Sequence, residues 1–118
     1  MSSPFGEYLR ERREARRSED PEFSLRKLAL RIGVEPSYLS KVERGLEAPP
    51  SEPRIVALAN ELEEDPDVLL ALAGKVSSEL KEVIRKRPQL MGELLRELKR
   101  LPDHAVLRIA REVRDGNW

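Results

Sequence analysis

The chain has no cysteine among its 118 residues. That excludes disulfides, thiolate nucleophiles and cysteine-held zinc, and it agrees with a reducing compartment. Aromatic residues make up only 4%, and histidine occurs once, at His104. One imidazole leaves no second to complete a metal set or a catalytic triad, and its place near a helix start reads as surface. No glycine-rich phosphate loop is present. The carboxylates lie among arginines on mixed-charge stretches, as solvated helical faces do. Neither an enzyme nor a cofactor or metal is expected. No apolar run approaches the roughly 20 residues that span a bilayer. The opening MSSPFGEYLRERR is too poor in apolar residues for a signal-peptide core. The expectation is a cytoplasmic protein with no membrane partner.

What the chain does have is charge and helix formers. Charged residues are 37% and the hydrophobic set 39%, with zero net charge. This length suits one compact domain with an appendage. Leu, Glu, Arg and Ala dominate, all good helix formers except at breaks. The charge is uneven. Residues 10–31 carry eight basic and five acidic side chains, 51–75 two basic and six acidic, and 76–118 ten basic and seven acidic.

Every convincing segment has helical periodicity, and none alternates as a strand does. Phe5, Tyr8, Leu9 and Ala15 mark one face of a first helix. SEDPE, broken by Pro21, reads as a loop. Ser24 caps a second helix with Leu25, Leu28, Ala29 and Ile32 on one side, stopped by Gly33. Pro36 suits the first turn of a third, which holds Tyr38, Leu39 and Val42 and ends at Gly45. LEAPPSEP is a proline-rich loop. A fourth helix runs from about Ser51 with Ile55, Leu58, Ala59 and Leu62 inward, and Asp65-Pro66 starts a short fifth that ends at Gly74. Three more follow: Leu80, Val83 and Ile84 before Pro88; Gln89 to Leu101 with Leu90, Met91, Leu94, Leu95, Leu98 and Leu101; and Val106, Ile109, Ala110 and Val113 before Asp115-Gly116. There is no internal repeat and no low-complexity tract.

The segment Ser24 to Gly45 carries the most specific pattern. Two short helices that cross closely need a small residue at the crossing, which Ala29 supplies. Four residues on, Gly33 tolerates the left-handed backbone of a sharp reversal. Val34 plugs the corner. Leu28, Ile32, Leu39 and Val42 bury the inner faces. The outer face of the third helix stays polar, with Ser37, Tyr38, Ser40, Lys41 and Arg44.

This run, LA…GV…YLS.VERG, resembles the Cro and lambda-repressor type of helix-turn-helix, the XRE family of transcriptional regulators, over residues 5–74. The resemblance implies an all-α fold with a five-helix lambda-repressor-like DNA-binding domain over 1–75; the helical pattern of 76–118 reads as an extension in which the seventh and eighth helices form an αα-hairpin. It implies that Arg13 on the first helix pairs with Glu43 at the end of the third, both structural. It implies double-stranded DNA as partner, with the third helix in the major groove, and so a nucleoid-associated protein. Ser37 and Lys41 are then the leading base readers, with Tyr38 and Ser40 next. Ser24, Arg26, Lys27, Arg44 and Arg54 are the candidate phosphate contacts. Two departures stand out. The Arg-Ser-Glu-Asp-Pro-Glu-Phe insert separates the first two helices where relatives have a short turn. Pro36 occupies a position where some repressors carry a base-reading glutamine.

Such repressors work as two-fold dimers on half-sites roughly 34 Å apart. The leucines at 90, 94, 95, 98 and 101 form a stripe wider than one neighbouring helix covers, so residues 77–118 are expected to form a homodimer and the protein to repress from a palindromic operator. The other reading of the stripe is that it docks on the N-terminal domain. The alternative is an antitoxin or mobile-element-type regulator whose tail holds a partner protein, a toxin or a metallopeptidase. Residues 77–118 are too few for a self-cleaving effector domain. Trp118 either anchors in the interface or frays.

Overall fold

The computed structural model describes residues 3–118. Its α-helices, in chain order, are α1 (Pro4–Arg17), α2 (Leu25–Ile32), α3 (Pro36–Glu43), α4 (Glu52–Leu62), α5 (Pro66–Leu72), α6 (Ser78–Lys86), α7 (Pro88–Lys99) and α8 (Asp103–Asp115). A 3-10 turn at Pro21–Phe23 lies between α1 and α2, and no strand occurs among the described residues. The fold is all-α. The chain divides into two compact units, residues 1–77 and 78–118.

In the first unit, short-range chemistry sets each helix start. The hydroxyl of Ser3 accepts from the Gly6 N–H, that of Ser24 from Lys27, and the carboxylate of Asp65 from Asp67. Each satisfies a donor that has no partner inside its helix. Helix ends share one device. After α2, α3, α4 and α5 the residue at the reversal has positive φ: Gly33, Gly45, Glu63 and Gly74. The next N–H reaches back five residues, from Val34 to Ala29, Leu46 to Lys41, Glu64 to Ala59 and Lys75 to Leu70. These are Schellman closures, for which glycine is the natural residue.

The five helices enclose one core, built from Phe5, Leu9, Leu28, Ala29, Leu39, Val42, Ile55, Leu58, Ala59, Leu62, Leu69 and Leu70. Three expectations need correction. Ala15 is exposed, because the inward stripe of α1 runs Phe5, Leu9, Arg13 at steps of four and leaves position 15 off it. Pro53 lies inside the first turn of α4 rather than in the loop, where its missing N–H costs nothing. The insert between α1 and α2 is no plain loop, since Asp20 caps the 3-10 turn and Phe23 packs on the core. The proline-rich connection is also fixed, with Pro50 buried and its carbonyl accepting from Lys75 Nζ at 2.9 Å.

In the second unit no residue is buried. Pro88 opens α7 as its first residue, and the helix stops at Lys99, short of the expected Leu101. Helices α6 and α7 pack on each other, while α8 follows residues 100–102 without comparable packing on either. Leu80, Val83, Leu90, Leu94, Leu95, Leu107, Ile109 and Val113 are all exposed. The Trp118 indole N–H donates to the Val113 carbonyl at 2.9 Å, yet its ring is 91% exposed.

Candidate nucleic-acid interface

Helix α2, the Gly33 turn and α3 form the corner. Ala29 at the crossing is fully buried, and Gly33 reverses the chain at φ +76°. Val34 packs against the core beneath the turn. On α3, Leu39, Val42 and Glu43 point inward. Ser37, Lys41 and Arg44 are exposed, and their spacing of four and three puts them on one stripe of the helix. Tyr38 and Ser40 flank this stripe and are half-buried, with the Tyr38 ring against the core.

The orientation of α3 is locked from α1. Arg13 Nε donates to Glu43 Oε2 at 2.7 Å and Nη2 to Oε1 at 2.9 Å, a two-point contact between side chains that are both buried. Nη1 also donates to the Phe23 carbonyl at 3.2 Å, and Nη2 to Glu14 at 3.1 Å. Burial alone would lower the Arg13 pKa. The hydrogen bond and charge of Glu43, helped by Glu14, more than reverse this and raise it above the ordinary arginine value. Next to this pair, α1 approaches α3 at Gly6, where a Cβ would lie 2.4 Å from the Val42 carbonyl oxygen and 2.7 Å from that of Glu43. Only glycine permits that approach.

The basic excess of residues 10–31 is largely taken up inside the unit. Arg12 pairs with Glu64, Arg16 with Glu63 at 3.1 Å and Arg31 with Glu61 at 2.9 Å. The acidic end of α4 thus ties down α1 and α2. Arg16 and Arg31 also lie over the Phe23 ring, with 5.6 and 5.1 Å to its centroid. Arg31 Nη1 donates to the Glu22 carbonyl at 2.6 Å. The insert is therefore a clasp between α1 and α2.

The candidate phosphate contacts are placed unequally. The Arg26 side chain is exposed and makes no hydrogen bond or ion pair among the described residues, and the same holds for the Lys41 side chain on α3. Lys27 is held by Glu22 at 3.3 Å, an exposed and weak pair. Arg44 Nε leans on the Ser40 carbonyl at 3.4 Å. Arg54 Nη1 donates to the carbonyls of Ile32 and Gly33, at 3.3 and 3.1 Å, and so caps the C-terminal end of α2. Ser24 accepts from Lys27 N–H at 3.3 Å, which leaves its own hydroxyl proton free to donate.

Sequence reasoning missed Gly6, the Arg12, Arg16 and Arg31 pairs, and the Phe23 clasp. Gly6 gave no local signal, because its constraint comes from α3. Phe23 stood out only as a lone aromatic in a polar insert, which marks burial but not the arginines that converge on it.

An exposed polar stripe on a short helix, held at a fixed angle by a glycine turn and a buried ion pair, defines a helix-turn-helix module. A family model described as "Helix-turn-helix domain" matches residues 4–72. The chain belongs to this helix-turn-helix domain family. In comparisons with curated proteins and with solved structures, nothing matches. The family supports a DNA-binding regulator, and its domains are typically non-enzymatic. Among the described residues no helix is long and apolar enough to cross a membrane, and no group of His, Cys, Asp and Glu could hold a metal.

Proposed function

We propose that the protein is a sequence-specific transcriptional repressor of the XRE type, acting as a homodimer on a palindromic operator. The observation that carries this is the stripe Ser37, Lys41, Arg44 on α3, exposed and aimed away from a core that otherwise engages nearly every arginine nearby. In the major groove the N-terminal part of α3 reaches base edges. Lys41 donates to guanine O6 or N7, Ser37 and Ser40 bond either way, and Tyr38 bears on the sugar–phosphate edge. Ser24, with the free N–H groups that begin α2, takes a phosphate, flanked by Arg26 and Lys27. Arg44 and the unused donors of Arg54 extend the backbone contact.

Residues 78–118 supply the dimer. Eight apolar side chains stay exposed across α6, α7 and α8, and faces of this kind mark interaction surfaces. A two-fold partner is the occupant that an operator of two half-sites requires.

Selection of bound duplexes from a random pool with the full chain tests the whole reading. A palindrome with half-sites one helical turn apart is expected. Failure to enrich any motif would overturn it. Recovery of a second small protein bound to residues 78–118 from the native host would replace the homodimer by the antitoxin-type alternative.

A further inference from the structure

Glu35 occupies the N-cap of α3, yet it does not cap the helix. Its backbone is extended (φ −69°, ψ 138°), and its side chain accepts no hydrogen bond from the helix start. Three of the four other α-helices of this unit do use their N-cap side chain, at Ser3, Ser24 and Asp65. Glutamate is a poor choice for capping, where Ser, Thr, Asp and Asn are preferred. The carboxylate is also exposed and makes no ion pair among the described residues. Glu7, Glu11, Glu19 and Glu47 are likewise without an ion pair among the described residues, so what sets Glu35 apart is its place at the start of α3. Pro36, the next residue, brings no N–H to the helix start. The leading edge of α3 therefore presents an acceptor-only group ahead of the Ser37 hydroxyl.

We infer that Glu35 is a specificity-determining residue that selects cytosine at the outer edge of each half-site; this rests on the DNA-reading role proposed above. In the major groove, cytosine offers only the N4 amine donor, which a carboxylate accepts. Guanine N7 and O6 and thymine O4 are acceptors and repel it. Adenine places its N6 donor beside the N7 acceptor, so the attraction is partly cancelled. The carboxylate also repels phosphates, so it weakens binding to every duplex that lacks cytosine at that place. Glu35 thus takes over the readout that Pro36 cannot provide.

Random-pool selection with wild type, Glu35→Ala and Glu35→Gln distinguishes the outcomes. The side chain makes no internal bond, so all three should melt together. The wild-type motif is expected to contain a cytosine, once per half-site, whose replacement lowers affinity on the order of tenfold. Glu35→Ala should erase that preference, leave the rest of the motif intact and tighten binding to unrelated duplexes. Glu35→Gln, which can donate as well as accept, should shift the preference toward adenine. An unchanged motif for Glu35→Ala overturns the assignment while leaving the DNA-reading function in place. A wild type that enriches no motif overturns both.

Discussion

At the scale of single residues, the first unit rests on a few positions whose neighbours leave no choice. Gly6 touches the carbonyls at the end of α3, so Gly6→Ala forces α1 and α3 apart and should cost about 1–3 kcal/mol, read as a lower urea midpoint. Glu63 poses the opposite case. It holds φ +55° at a helix end where the three equivalent positions carry glycine. Glu63→Gly should stabilise by about 0.5–1 kcal/mol, because its exposed pair with Arg16 is worth only a few tenths in return. A melting temperature no higher than wild type would contradict this. Arg13 and Glu43 are coupled. Arg13→Ala strands a buried carboxylate and should cost about 3–5 kcal/mol, whereas the double change Arg13→Met with Glu43→Leu should recover most of it. A double mutant as unstable as Arg13→Ala would show that the pair is needed beyond mutual neutralisation.

At the scale of elements, α2 and α3 were legible almost residue by residue. Their signals are local: a cap at Ser24, a small residue at Ala29, a reversal at Gly33 and a proline start at Pro36. Their pairing with α1 through Arg13 and Glu43 was legible only through family resemblance, since thirty residues separate the two. The clasp at Pro21–Phe23 was not legible as structure. Its order comes from Arg13, Arg16 and Arg31 converging on Phe23 from two different helices, and no local pattern encodes that convergence. Among the candidate interface residues, sequence could name exposed cations but not tell which already had work inside the fold. Arg54 is the clearest example, since two carbonyls at the α2 end engage it. Phe23→Ala should therefore loosen the start of α2, and hydrogen exchange at Lys27 and Leu28 should quicken before that of α4 does.

At the scale of the whole molecule, the two units differ in what holds them. The first has a closed core; in the second, leucines and valines remain exposed on every helix. A second copy covering these faces would account for them, and Leu94→Glu with Leu95→Glu should turn a dimer into a monomer in equilibrium ultracentrifugation. A wild type monomeric at tens of micromolar would contradict the dimer. The net charge of zero says less about DNA binding than the distribution of charge does, and six acids of the first unit, Glu14, Glu22, Glu43, Glu61, Glu63 and Glu64, pair with arginines inside it. Among the cations without an ion pair, Arg26 and Lys41 sit on α2 and α3. The central claim, that α3 reads sequence, is tested most directly by titrating the full chain against its selected operator and a scrambled duplex over a range of salt. Lys41→Ala should lose on the order of tenfold in discrimination between the two. Arg26→Ala should weaken both alike and lower the salt slope by about one. Discrimination left intact in Lys41→Ala would contradict the account.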